Sequence, residues 1–375
     1  MTALDFLWFC TLQHDGEYLG TRELPPRKPT LESIANLIDT AGEMGFSSLL
    51  TATNYHSYHE NFTVAVAALA RSRNAGLLVA VRTGMFDAAM YAKMTATLAN
   101  LFPGRVRINI VTGSSLAENA MYGDYAPHEA RYERTHEFMK LLRLFWTFDG
   151  PINYAGKYYN YQGSVLEPKP AQPIPLYFGG ASEAAMRIAA ELADVYLIWG
   201  EPFEMVQARV SRMNELSLEF GRTVEYGLRT HVVVRETEAE AIEAANRMIS
   251  KVDPAVRENF VKSYARLDST GQTNQVKILQ QALERGDLFI EPHLWAGVGM
   301  ARSGVGVAIV GNPQQVAAKI QSYVDIGIHN FIFSGYPHLD ECRRFGELVM
   351  PLVKGSINVS SGERSLYEVG VAPTI

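Results

Sequence analysis

Eight short apolar runs punctuate the chain, each closing on small, polar or charged residues. They are Phe6–Thr11, Ser48–Thr53, Leu77–Thr83, Val106–Thr112, Pro175–Gly179, Val195–Gly200, Gly227–Val234 and Asn330–Gly335. Their near-continuous apolar character is that of parallel strands covered on both faces. Between most of them the apolar period lengthens to that of a helix. Leu31–Met44 follows the N-cap candidate Thr30 and stops at Gly45. Phe62–Arg71, Ala88–Leu101, Arg131–Phe148, Glu183–Ala193, Phe203–Phe220 and Pro313–Ile326 repeat the pattern. Strands alternating with helices in this way predict an α/β fold, specifically a (β/α)8 TIM barrel. An open doubly wound sheet would carry fewer strands and a glycine-rich turn after the first, and Leu12–Gly20 contains no GxGxxG.

Two connections are too long to be simple crossovers. Ser114–Gln172 holds a helix and then a Tyr/Asn/Pro-rich return, INYAGKYYNYQGSVLEPKPAQP, which predicts a small hairpin. Glu238–Gly311 holds polar helices and ends in LWAGVGMARSGVGVAIVG, where Gly297, Gly299, Gly304, Gly306 and Gly311 surround a single charged side chain, Arg302. A glycine-dense segment can swing, and an arginine at its middle grips an anion when the segment closes. Long insertions in a barrel gather at the C-terminal ends of the strands and shape the mouth. Periodicity fails over Gly355–Ile375. Residues 1–354 are therefore expected to form one barrel domain and 355–375 a tail docked on a neighbouring subunit.

Composition narrows the function classes. Two cysteines in 375 residues, Cys10 and Cys342, exclude a disulfide framework and fit a reducing cytoplasm. The opening MTALDFLWFC lacks the basic region of a leader, and no run of eighteen apolar residues appears, so no membrane span is expected. A net charge of −6 argues against a nucleic-acid surface. Any anion site must therefore be local.

Candidate chemistry clusters at the strand ends. His56, His59 and Glu60 are the one compact donor set, but HExxH and HxH are both missing, so no metal is expected. No GxSxG elbow supports acyl transfer. After the fifth run, Gly179 and Gly180 let backbone approach a ligand, and Ser182 opens a helix whose N–H groups suit a phosphate; the same serine is also an ordinary N-cap. Arg229 and His231 are two apart on the seventh run and so share a face. Tyr336 and His338 follow the eighth run, and Trp199 ends the sixth. Together they describe a pocket for a planar, phosphorylated cofactor and a second, small anion.

The runs LWFCTLQHDGEYLGT, RVRINIVTGS, HEARYERTHEF, PLYFGGASE, VYLIWGEP, YGLRTHVVVRET, LWAGVGMARSGVGVAIVG and FSGYPHLDE occur in that order over roughly residues 4–353. They resemble the reduced-flavin-dependent alkanesulfonate monooxygenases of the bacterial luciferase superfamily. The resemblance implies reduced flavin mononucleotide (FMNH2) delivered by an NAD(P)H-dependent flavin reductase, and O2 as oxidant. It implies an organosulfonate cleaved to sulfite and an aldehyde, and a homo-oligomer, dimer or tetramer. It assigns Arg229, His231, Trp199, Tyr336 and His338 to the sulfonate and flavin pocket, with Arg229, His231, Arg302 and Tyr336 as its catalytic members. It makes Arg302 the lid arginine, places Tyr132 with Gly179, Gly180 and Ser182 near the flavin phosphate, and sets Asn109 and Thr112 beside the isoalloxazine. Where the family reads T-G-R-S-C-E-D-A-W, this chain reads TNYHSYHENF, and Leu12-Gln13-His14-Asp15-Gly16 replaces T-H-G-D-G. The added donors, among them Asn54 and His56, predict a polar substrate such as the sulfosugar sulfoquinovose rather than a simple alkanesulfonate. The rivals are a deazaflavin-dependent oxidoreductase of the same fold and a non-catalytic flavin-binding protein.

Overall fold

The computed structural model describes residues 3–256, 258, 269–353 and 355, so the expected tail beyond 355 lies outside the described residues. Eight parallel strands close into a ring. They are β1 (Asp5–Cys10), β2 (Ser48–Thr51), β3 (Gly76–Arg82), β4 (Val106–Val111), β7 (Leu176–Gly179), β8 (Val195–Trp199), β9 (Glu225–Val234) and β13 (Ile328–Ser334). β9 pairs with both β8 and β13, and β13 pairs with β1, which closes the barrel. All eight apolar runs are barrel strands, their ends shifted by up to two residues.

Helices wrap the outside where the 3.6-residue period predicts them. α1 (Leu31–Glu43) is capped by Thr30, whose side chain accepts from Ser33 N, and the chain leaves it through Gly45 at φ +93°. α2 (Asn61–Arg71) and α3 (Ala88–Leu101) follow the first crossovers. α5 (His128–Thr147) starts three residues earlier than its apolar period, because its first turn is polar. α6 (Glu183–Leu192), α7 (Phe203–Glu219) and α10 (Pro313–Asp325) complete the expected set. The Tyr-rich return forms an antiparallel hairpin, β5 (Ile152–Ala155) with β6 (Asn160–Ser164). A short α4 (Leu116–Met121), the polar α8 (Glu238–Ile249) and α9 (Thr270–Arg285), and the last helix α11 (His338–Leu348) fill the remaining connections.

The barrel interior is layered. At the N-terminal ends of the strands, Arg107 donates to Asp5 at 2.9 Å, and Tyr177 and Asn330 continue the polar set toward Glu225. Above it lie Leu7, Leu50, Leu78, Ala80, Tyr177, Val195, Leu197 and Ile332, one apolar cluster with Phe9 and Val111. That apolar layer fills the lower barrel, which leaves the polar strand ends at the C-terminal mouth as the place where a ligand site is built in this fold.

The glycine-dense segment is more structured than its composition suggests. Leu294–Trp295 is strand β11, paired with β10 (Phe289–Glu291) and with β12 (Ala308–Gly311). β12 pairs in parallel with β9 where β8 leaves it: Trp199 lies beside Arg229, and Ala308 beside His231. The glycines mostly serve close approach rather than looseness. A Cβ on Gly297 would lie 2.1 Å from the Trp295 ring, and Gly299 N donates to Gly306 O at 3.0 Å. Gln272 and Gln275 of α9 accept from Gly304 N and Gly306 N. Only Gly304, at φ +90°, uses the left-handed conformation there. The expected swinging segment thus reduces to the turn around Arg302–Gly304.

Candidate functional site

Arg229 and His231 both point into the barrel mouth, as alternation along β9 requires. Arg229 is buried. Its Nη1 donates to Thr230 O at 2.6 Å and its Nη2 to Ser334 Oγ at 2.9 Å. Its guanidinium lies 5.0 Å from the Phe9 ring centroid. The partners it lacks are the informative ones. Buried Arg82, Arg107 and Arg143 and half-buried Arg209 each face a carboxylate: Glu118, Asp5, Asp194 and Glu201. Arg229 has no carboxylate among the described residues. Burial, with the neighbouring charge of Arg302, pushes its guanidinium down to about 9.

Ser334 passes the chain of hydrogen bonds on to His231. Its Oγ stands 2.6 Å from His231 Nδ1, while His231 Nε2 lies 3.1 Å from Val305 O. A carbonyl only accepts, so Nε2 carries the proton and Nδ1 accepts from Ser334. Burial, then Arg229 and Arg302, hold this imidazole well below the ordinary histidine range. It is a neutral, fully oriented group.

Three more predicted residues close over the pair. Arg302, half-buried in its turn, donates to Tyr336 OH. The Tyr336 ring stacks on His231 at 5.7 Å and meets His338 edge-on at 4.7 Å. Trp199, half-buried at the end of β8, flanks Arg229, and Gly271 of α9 lies against its ring. Arg229, His231, Arg302, Tyr336 and His338 therefore form one contiguous set. Reading the sequence missed Ser334 and Asp15. Ser334 could have been found two residues before Tyr336 on an inward-facing register. Asp15 accepts from both His338 N and His338 Nδ1.

The planar side of the pocket lies across the mouth. Asn109 and Thr112, at the end of β4, are buried polar residues. Gly180, at φ +153°, has bare backbone; a Cβ there would fall 2.5 Å from Ala185 Cβ. Ser182 caps α6 by accepting from Ala185 N at 3.2 Å, which leaves its O–H free to donate beside the unpaired first-turn N–H groups. Tyr132 packs on His128 at 4.8 Å, with its hydroxyl toward Gly180. This donor set suits a phosphate.

The substituted loop 53–60 occupies a different wall. Asn54 Oδ1 accepts from His56 N, His59 Nε2 bonds Pro29 O, and Glu60 caps α2. Those three side chains hold the local fold, Asn54 through its amide oxygen. Tyr55 N donates to Glu118, and the Tyr55 ring meets Tyr122 at 5.1 Å, latching the loop to α4. The His56, Tyr55 and Tyr58 side chains stay exposed. Among the described residues, no group of three or more His, Cys, Asp or Glu is placed to hold a metal ion, and no helix is long and apolar enough to cross a membrane.

Residues 4–330 match the luciferase-like monooxygenase family. Solved structures share the whole architecture at low identity. EDTA monooxygenase (EmoA) from Chelativorans sp. BNC1 superposes with a TM-score of 0.77 at 20% identity, covering 96% of each chain. Riboflavin lyase (RcaE), solved with modified FMN and riboflavin, gives 0.78 at 18% identity over 96% of this chain and 95% of its own. An F420-dependent secondary alcohol dehydrogenase gives 0.68 at 18% identity over 94% of this chain and all of its own.

Proposed function

Since the chain belongs to the luciferase-like monooxygenase family, we propose that it is an FMNH2- and O2-dependent monooxygenase that cleaves the C–S bond of an organosulfonate. The observation that carries this reading is Arg229: a buried cation with no carboxylate among the described residues, backed by a second cation, Arg302, in the same mouth. A sulfonate is an anion at any physiological pH and offers three acceptor oxygens, so it suits a guanidinium fork. His231, neutral and oriented, adds polarity without adding charge.

Reduced flavin, when bound, supplies the electrons that activate O2. Gly179, Gly180, Ser182 and Tyr132 would hold its phosphate, and Asn109 and Thr112 would flank its ring. Arg302 would engage the substrate's anionic head and keep water from the reacting face. The flavin is supplied by an NAD(P)H-dependent reductase, and the working form is a cytoplasmic homo-oligomer. The exposed Tyr55, His56 and Tyr58 at the mouth favour a substrate bearing hydroxyls, such as sulfoquinovose, over an alkyl chain.

The test is sulfite release from a panel of sulfonates with reduced flavin, O2 and purified protein. Sulfite from at least one sulfonate is expected. Tight reduced-flavin binding with none would remove the reading, and turnover with a reduced deazaflavin alone would put a hydride-transfer enzyme in its place.

A further inference from the structure

We propose that Asp15 and His338 form the acid–base pair of this site, His338 exchanging the proton and Asp15 positioning it. This inference rests on the sulfonate reading above. Asp15 comes from the loop after β1, and His338 is the first residue of α11. The Asp15 carboxylate takes both His338 N–H groups that face it: Oδ2 accepts from the backbone N at 2.8 Å and Oδ1 stands 2.9 Å from Nδ1. A carboxylate only accepts here, so Nδ1 carries a proton and the ring cannot turn. Nε2 is left buried with no hydrogen-bond partner among the described residues. A buried polar atom left unsatisfied is costly, and this one belongs to a ring that packs against Tyr336 in the anion chamber.

A purely structural account covers the first bond alone. A carboxylate at the start of α11 caps the helix, but a cap needs no imidazole, and an apolar side chain would avoid the orphaned nitrogen. His338 also lies among the rings of the anion chamber: Phe9 at 5.7 Å, beside Arg229, and Tyr336 at 4.7 Å, beside His231. His231 is committed to Ser334 and Val305, which leaves His338 as the histidine of the set with an uncommitted nitrogen. Nε2 is sealed from solvent, so access requires Tyr336 to move aside when Arg302 releases its hydroxyl to meet the substrate.

The step assigned to the pair is carbonyl formation. With reduced flavin and O2 as co-reactants, one oxygen atom enters at the carbon bearing the sulfonate and the other leaves as water. The new hydroxyl gives its proton to His338 Nε2, and the O–H electron pair becomes the second C–O bond. The C–S bond breaks with its pair staying on sulfur, which departs as sulfite. His338 then returns the proton, so the products are an aldehyde, hydrogen sulfite, water and oxidised flavin.

The charged groups around His338 are Asp15, with Arg27 acting on it; Tyr336 from the preceding loop; His231 and Arg229 from β9; and Arg302 from the lid turn. Asp15 is held below the usual carboxylate range, His338 and Arg27 outweighing its burial.

The experiment compares wild type, His338→Gln and Asp15→Asn. Sulfite turnover is followed over pH, reduced-flavin affinity by titration, and the tautomer by nitrogen-15 imidazole NMR of the flavin-free wild type. His338→Gln is expected to lower kcat at least a hundredfold, within the range for a general base, with flavin affinity within threefold. Asp15→Asn is expected to shift the acid limb of kcat/KM to lower pH, which loss of a helix cap alone would not do. NMR is expected to show His338 protonated on Nδ1. Wild-type kcat in His338→Gln, an unmoved acid limb in Asp15→Asn, or a proton on Nε2 alone would overturn the assignment. If wild type releases no sulfite, the functional reading fails, and the NMR tautomer still decides the pair.

Discussion

Replacing Arg229 by Met tests whether the anion site stores an electrostatic cost. The Arg229 guanidinium is held down to about 9, whereas a free one stays above about 12. At about 1.36 kcal/mol per pH unit, that gap puts the cost of keeping it charged in the empty pocket on the order of 4 kcal/mol. Burial is the larger cause, and Arg302 adds repulsion. Methionine of similar length removes the charge and keeps most of the volume. It also abandons Thr230 O and Ser334 Oγ, each left without its donor at a cost of about 1–2 kcal/mol. The balance predicts a flavin-free variant as stable as wild type, or more stable by up to about 2 kcal/mol, although a buried polar residue has been deleted. Urea denaturation of the two proteins measures this directly. A matched titration with octanesulfonate should stabilise wild type by mass action and leave the variant unmoved. A variant destabilised by more than about 3 kcal/mol that still responds to the sulfonate would refute the argument, because Arg229 would then be structural and the anion held elsewhere.

Arg302→Ala should keep reduced-flavin affinity within a few fold but release peroxide in place of much of the sulfite, since the turn no longer shields the reacting face; oxygen uptake against sulfite yield reads the coupling, and wild-type coupling would make the turn mere surface. His231→Gln should flatten the acid side of the stability curve. The unfolded imidazole binds a proton as pH falls through 6.5 and the folded one does not, so wild type should lose about 1.4 kcal/mol more per pH unit below that point; parallel curves in urea would show that His231 is not held neutral. Competition between sulfoquinovose and octanesulfonate should favour the sugar, and preference for the alkyl chain would remove the polar-substrate expectation while leaving the chemistry in place.

The barrel was legible because its signal is redundant. Eight runs with the same burial demand each found a strand, and Thr30, Gly45 and Ser182 marked helix ends through side-chain or backbone chemistry that works locally. The convergence of Arg229, His231, Tyr336 and His338 followed from period-two alternation and from strand ends sharing one face of a barrel. What the sequence did not reveal depends on partners far along the chain. Nothing near Gly297 announces that Trp295 folds over it, or that Gln275 ties down Gly306, so glycine density looked like freedom. The local roles of Asn54 and Glu60 went unseen because neither an Asx turn nor a helix cap is visible until the loop has its path. Ser334 and Asp15 went unseen for a related reason: each matters only through the histidine it orients.

Charge placement joins these parts into one arrangement. The chain is acidic overall, at −6, yet the mouth presents two arginines with no carboxylate of their own among the described residues. Asp15, an acid that does enter this neighbourhood, is taken by His338 through two hydrogen bonds. The two guanidiniums repel each other while the pocket is empty, so an anion seated between them relieves both the repulsion and the desolvation at once. Arg302 meanwhile rests on Tyr336. A ligand that draws Arg302 away must therefore also free Tyr336, whose ring lies edge-on against His338 and its buried nitrogen. On the proposed assignment, anion binding, turn closure and exposure of the base would be one displacement, and a neutral analogue that leaves Arg302 in place should leave the base covered as well.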